Sequence, residues 1–237
     1  MQKLTSELQR LYLLPGQQAD GQAIELVTAN GLTRTLVIDF HKAPEEQHWA
    51  RLCDVANALQ TELGLPAPAV SVSGGDCYRL WLSLAQPVTE VQAKQFLALL
   101  HKAYFEDEPI DFGRSRVDLP PAQNHATGLW AAFVNPSMGG ALAEDLGLEM
   151  APPEAAQAAF LERLGSITEE EFTQALATLR RKHDAVPAPA SVPAAAPPAK
   201  SDAERQGLLL RDATLEDIVR HLHAMGIEPT FRHVLKH

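Results

Sequence analysis

A strand, a Ser-Gly-Gly turn and a second strand, read from Ala69 as AVSVSGGDCYRLWLSLAQPV, constrain this chain more than any other stretch. From Tyr78 the residues alternate: Tyr78, Leu80, Leu82 and Leu84 fall on one side of the strand, Arg79, Trp81 and Ser83 on the other. That period of two is the signature of a half-buried strand. The side turned from the core then carries a cation, an indole and a hydroxyl. A second strand upstream, Thr35 to His41 (TLVIDFH), places Asp39 and His41 on one face by the same arithmetic. If the two strands pair, a carboxylate, an imidazole and a guanidinium share one sheet surface, where a function would sit.

The chain has 237 residues, 46% hydrophobic and 21% charged, enough for one good-sized core and of ordinary globular composition. No apolar run approaches the roughly 18 residues a membrane-spanning helix needs. The first residues, MQKLTSELQR, lack an apolar signal core, so a cytoplasmic protein is expected. Cys53 and Cys77 read as free thiols, and no CxxC or HExxH spacing offers a structural zinc site. The formal net charge of −10 argues against a dedicated nucleic-acid binder, which usually carries a basic stripe. Local basic patches are Arg114 with Arg116, and Arg180-Arg181-Lys182-His183 at a helix C-terminus.

Turn and cap signals divide the rest. An amphipathic helix over 1–13 ends at Pro15-Gly16, and Asn30-Gly31 predicts a hairpin between 23–28 and 32–41. Helices are expected over 45–63 and 89–104, the second opened by a Thr89/Gln92 capping box. Ile110 to Leu119 and Gly128 to Val134 read as extended, and helices over 139–146, 153–164 and 168–182 follow. The order from Thr33 to Leu119 is β-α-β-β-α-β, the split βαβ layout of ferredoxin-like and RNA-recognition folds. An α+β domain is thus expected over 1–184, with its core at about 23–135 and a helical extension at 139–183. The Pro/Ala run 185–200 reads as a disordered linker, and 201–237 as a small helical tail able to bind a protein partner.

These residues resemble the archaeo-eukaryotic primase superfamily, the primase-polymerase domains. The second motif of that family runs Ser-Gly-Gly, small residues, an aromatic, His, then an apolar strand and often Pro-Val; Ser73-Gly74-Gly75, Tyr78, Leu80-Trp81 and Pro87-Val88 fit that frame. The resemblance covers Thr33 to Leu119 and implies a site for nucleotides, a role in DNA replication and divalent metal chemistry. Two positions depart from it. The family's Asp-x-Asp metal motif matches Asp39 and His41, and its phosphate-contacting His matches Arg79. The third-motif carboxylate is Asp111 or Asp118, and the sequence does not choose between them.

The departures decide the chemistry. Nucleotidyl transfer needs two Mg²⁺ ions held by hard oxygen ligands. An imidazole in place of one carboxylate removes a charge and suits Mn²⁺ better than Mg²⁺. Arg79 keeps phosphate affinity but cannot exchange a proton near neutral pH. The expectation is a divergent, catalytically degraded domain acting as a nucleotide- or nucleic-acid-associated accessory. Asp39, Asp111 and Asp118 are its candidate catalytic residues, Ser73, Gly74, Gly75, Arg79 and Trp81 its nucleotide contacts, and Asp39 and His41 its metal ligands. An active, Mn²⁺-dependent nucleotidyltransferase is a further reading. Each residue also has a plain one: Arg79 can pair with Asp39, Trp81 can pack under helices, and Ser-Gly-Gly can be a tight turn. Those plain readings add up to the alternative, an α+β protein-interaction module with a tethered tail. It expects the helices from Gly139 to Lys182 to cover this face.

Overall fold

The computed structural model describes residues 2–17, 23–106 and 114–184. The linker 185–200, the tail 201–237 and Asp111 lie outside them. Thirteen α-helices and strands organise the described residues. In chain order they are α1 (Gln2–Tyr12), β1 (Ala23–Glu25), β2 (Leu32–His41), α2 (Gln47–Thr61), β3 (Ala69–Val72), β4 (Cys77–Thr89), α3 (Glu90–Tyr104), β5 (Arg116–Asp118), β6 (Ala122–Gln123), β7 (Trp130–Val134), α4 (Pro136–Gly139), α5 (Glu154–Leu161) and α6 (Glu169–Asp184). Five strands form one antiparallel sheet in the order β2-β4-β3-β7-β6. The fold is α+β, as the sequence implies.

In the β2-β4-β3 part of the sheet, α2 and α3 lie on one face, and the alternation decides which side chains meet them. Leu36, Ile38 and Phe40 of β2 and Tyr78, Leu80, Leu82 and Leu84 of β4 join Val70 and Val72 in one core, beneath Leu52 and Leu59 of α2 and Phe96 and Leu100 of α3. The expected capping box is present: Thr89 Oγ1 accepts from the Gln92 amide while the Gln92 side chain accepts from the Thr89 amide. Such a cap supplies acceptors to helix-end N–H groups that have no partner within the helix. A matching pair, Thr168 and Glu171, opens α6. That helix packs beside α3, with Phe172 stacked on Phe96 at 5.2 Å.

Two expectations are corrected. The segments flanking Asn30-Gly31 do not form a hairpin. Gly31, at φ +69°, does make the turn, with its amide on the Thr28 carbonyl at 2.8 Å, but β1 pairs with β5 in a separate two-stranded ribbon. The last strand of the expected β-α-β-β-α-β series is therefore in that ribbon rather than beside β2. The helix expected over 139–146 is instead α4 followed by a 3₁₀ turn, Gly140–Leu142. Trp49 packs tightly against this stretch: a Cβ on Gly139 would lie 2.0 Å from its ring.

The opposite face of the sheet is also covered, so Cys77 through Leu84 are buried on both sides. Here Trp81, Val37, Ala69 and Phe133 meet Leu11 and Tyr12 of α1 and Leu161 of α5 in a second core. Polar groups on this face find partners at the end of α1. Ser83 Oγ donates to the Leu11 carbonyl at 2.6 Å, Thr35 Oγ1 to that of Tyr12 at 2.8 Å, and Arg34 Nη1 to that of Leu13 at 3.1 Å. Carbonyls at a helix C-terminus lack intrahelical donors, and these side chains supply them. The alternation is real, but it separates two interiors rather than a core from solvent.

Candidate functional site

Pairing of β2 with β4 sets Asp39 directly opposite Arg79 and His41 directly opposite Cys77. Directly opposed residues hold their Cβ atoms about 4.5–5.5 Å apart, so each pair is within side-chain reach. Asp39 and Arg79 are both buried, and Asp39 Oδ1 lies 3.3 Å from Arg79 Nε. Arg114, just ahead of β5, donates from Nη2 to Asp39 Oδ2. One carboxylate thus faces two guanidiniums, leaving the trio with a single net positive charge. Among the described residues, Asp39 Oδ1, Arg79 Nε and Nη1, and Arg114 Nε are buried with no hydrogen-bond partner, so the 3.3 Å ion pair is not also a hydrogen bond. A buried donor left unsatisfied costs about 1–3 kcal/mol, more when charged. The Arg114 side chain, 29% exposed against 8% for Arg79, is the trio's opening to solvent.

His41 does not turn to Asp39. Its Nδ1 lies 3.3 Å from Asp76 Oδ2, at the end of the turn that leads into β4. Asp39 and His41 are therefore not brought together as a ligand pair. Both Asp39 oxygens face guanidiniums, and among the described residues no second carboxylate joins them. Those residues do not fit a two-metal centre. Asp118 sits exposed on β5, in register with Ala23 in the ribbon, and Asp111 lies outside the described residues.

The Ser-Gly-Gly turn is held from within the protein. Ser73 Oγ accepts from the amides of Gly75 and Cys77, each at 3.1 Å, and the Gly74 amide donates to the Leu146 carbonyl at 2.9 Å. Thr127 Oγ1 donates to the Gly74 carbonyl. Gly74 has φ +69°, and a Cβ there would lie 2.8 Å from the Leu129 carbonyl oxygen and 3.0 Å from the Ala131 nitrogen, both backbone atoms. Gly74→Ala combines left-handed strain with a clash that no rotamer relieves. It is expected to cost at least ~1 kcal/mol, read as a lower urea midpoint at unchanged m-value. Trp81 is buried, its Nε1 donating to Ser71 Oγ at 2.8 Å and its ring tilted against Tyr12 and Phe133 at 5.2 and 5.7 Å. No base could reach that ring in this arrangement.

The Cys77 thiol is also buried. Burial, reinforced by the Asp39 charge, pushes its pKa up to about 11, against the opposing pull of Arg79 and a hydrogen bond with Ser73. Sequence reasoning noted Arg114 as half of a basic patch but did not connect it with Asp39. It also read Cys77 only as a free thiol. The signal for Cys77 was present: once Asp39 opposes Arg79 in an antiparallel pair, moving two residues outward on each strand puts His41 opposite Cys77.

Among known proteins, no family model matches this chain, and no curated protein matches it. Among solved structures, it is similar to the polymerase domain of Mycobacterium tuberculosis Ligase D in complex with DNA, at 18% identity and a TM-score of 0.36. The match covers 64% of this chain and 61% of that one, and is a coarse likeness of fold.

Proposed function

We propose that this chain is a non-catalytic, primase-polymerase-like domain of the cytoplasm that binds phosphate-bearing ligands, nucleotides or nucleic-acid strands, and serves as an accessory to proteins that act on them. The observation that carries this reading is the Asp39–Arg79–Arg114 trio. Two guanidiniums share one carboxylate, and among the described residues Arg79 Nε and Nη1 and Arg114 Nε find no acceptor. A phosphate oxygen entering past Arg114 would supply those acceptors, and charge-assisted bonds to phosphate are among the stronger ones. The same trio supports the non-catalytic part of the reading, because Asp39 can hold a metal only by releasing its arginines. Residues 201–237 belong to this reading as the segment that contacts a protein partner, tethered by 185–200.

Thermal shift in chelator, with inorganic triphosphate, ATP and a short single-stranded oligonucleotide, tests it. At 100-fold over Kd a ligand adds about 2.7 kcal/mol to stability. The expected result is a saturable rise in Tm that weakens with added salt and is lost in Arg114→Ala. No rise with any of the three, or an equal rise in Arg114→Ala, overturns the proposal. The α+β interaction module would then be the better reading; the burial of Trp81 beneath α1 and α5 already favours it at that end of the face.

A further inference from the structure

We infer that His41, Asp76 and Cys77 form a binding site for one zinc-like divalent cation, separate from the arginine trio. Among the described residues these three side chains alone bring His, Cys and carboxylate ligand atoms together, all within 4.8 Å of one another. Their position is fixed by the sheet. His41 and Cys77 are register partners on β2 and β4, and Asp76 immediately precedes Cys77. The backbone locks the group further, since the Lys42 amide donates to the Asp76 carbonyl at 2.8 Å and the Ser73 amide to the Cys77 carbonyl at 3.0 Å.

Donor type and spacing point to the ion. Tetrahedral zinc, with nitrogen and oxygen at about 2.0–2.2 Å and sulfur at about 2.3 Å, sets neighbouring donors about 3.3–3.6 Å apart. His41 Nδ1 and Asp76 Oδ2 already stand at 3.3 Å. Closing the remaining gaps onto the buried sulfur asks for about 1 Å of movement from His41 and Asp76. Their side chains are 46% and 78% exposed, which leaves solvent-side room for that movement. A thiolate, an imidazole and a carboxylate select zinc or cobalt over Mg²⁺, which takes oxygen ligands. The thiolate and carboxylate balance the ion's charge, and the fourth position falls to water. Cys77 loses its proton to solvent as the metal binds. Ser73, whose hydroxyl is hydrogen-bonded with Cys77, orients the sulfur from behind.

Cobalt titration of the full chain, with no phosphate present, tests the site directly, because a cysteine thiolate on Co²⁺ gives a near-ultraviolet charge-transfer band and tetrahedral Co²⁺ gives visible bands. One equivalent is expected to raise both, and one equivalent of Zn²⁺ to remove them. Cys53→Ser should retain the bands and Cys77→Ser should lose them. His41→Ala, at an exposed position that the fold does not need, should weaken Co²⁺ binding at least ~10-fold. Arg114→Ala should leave the bands unchanged, so the fate of the phosphate site does not decide this one. No thiolate band at saturating Co²⁺, a band that survives in Cys77→Ser, or undiminished affinity in His41→Ala overturns the inference.

Discussion

Asp39→Ala is expected to lower the unfolding free energy by about 3–5 kcal/mol, the usual cost of stripping the partner from a buried charge. The loss comes mainly through Arg79. Its side chain is 8% exposed and cannot reach water, whereas Arg114, at 29%, can turn outward once the carboxylate is gone. Asp39→Asn keeps the shape but not the charge, and should lose most of the same amount. Urea denaturation reads both as a lower midpoint with the slope conserved. The variant also sharpens the functional question. With the carboxylate removed, an added phosphate can take its place between the guanidiniums. Inorganic triphosphate should therefore stabilise Asp39→Ala more than it stabilises the wild type. A loss below about 1 kcal/mol would mean that the trio is solvated like a surface ion pair, and the electrostatic account given for it would be wrong.

The trio shows how far the sequence reaches. Asp39 and Arg79 lie on alternating strands whose periods fix their faces, so a shared surface could be read on the condition that the two strands pair. Arg114 could not, because it comes from a segment between α3 and β5 with no periodicity to place it. The expected hairpin at Asn30-Gly31 failed for a related reason. That turn forms locally, as Gly31 requires, but whether its arms then pair depends on competition from a strand some 90 residues away, β5, which takes β1 into the ribbon. Local chemistry specifies turns, caps and faces, while long-range competition decides which strands become neighbours.

The same limit governs the covering of the second face. Arg79, Trp81 and Ser83 spell an exposed polar stripe when β4 is read alone. The end of α1, from the far end of the chain, then docks over Ser83 and Trp81. It can do so because hydroxyls and a guanidinium meet its free carbonyls. The helices after Gly139 were expected either to cover this face together or to leave it open. They divide instead: α5 joins α1 over Trp81, while α6 packs on the opposite side with α3. Polar residues at regular intervals thus marked a docking surface for the chain's own helix.

Trp81→Ala is the sharper test of that covered half. It empties a site bounded by Tyr12, Val37 and Phe133 and leaves Ser71 Oγ without its indole donor, so about 3–5 kcal/mol should be lost, as for other buried aromatics truncated to alanine. Trp81→Phe keeps most of the packing and gives up the hydrogen bond, which should cost a further-reduced ~1–2 kcal/mol. The pair separates a structural indole from one that stacks on a base. If Trp81 is core, Trp81→Phe binds inorganic triphosphate, ATP and single-stranded oligonucleotide with wild-type affinity, because the arginines at the other end of the face are untouched. A base-stacking tryptophan would behave in the opposite way: losing it would weaken oligonucleotide binding by about 1–3 kcal/mol, leave triphosphate binding alone and barely change the urea midpoint. That second pattern would return Trp81 to the ligand site and require α1 to move aside when nucleic acid binds.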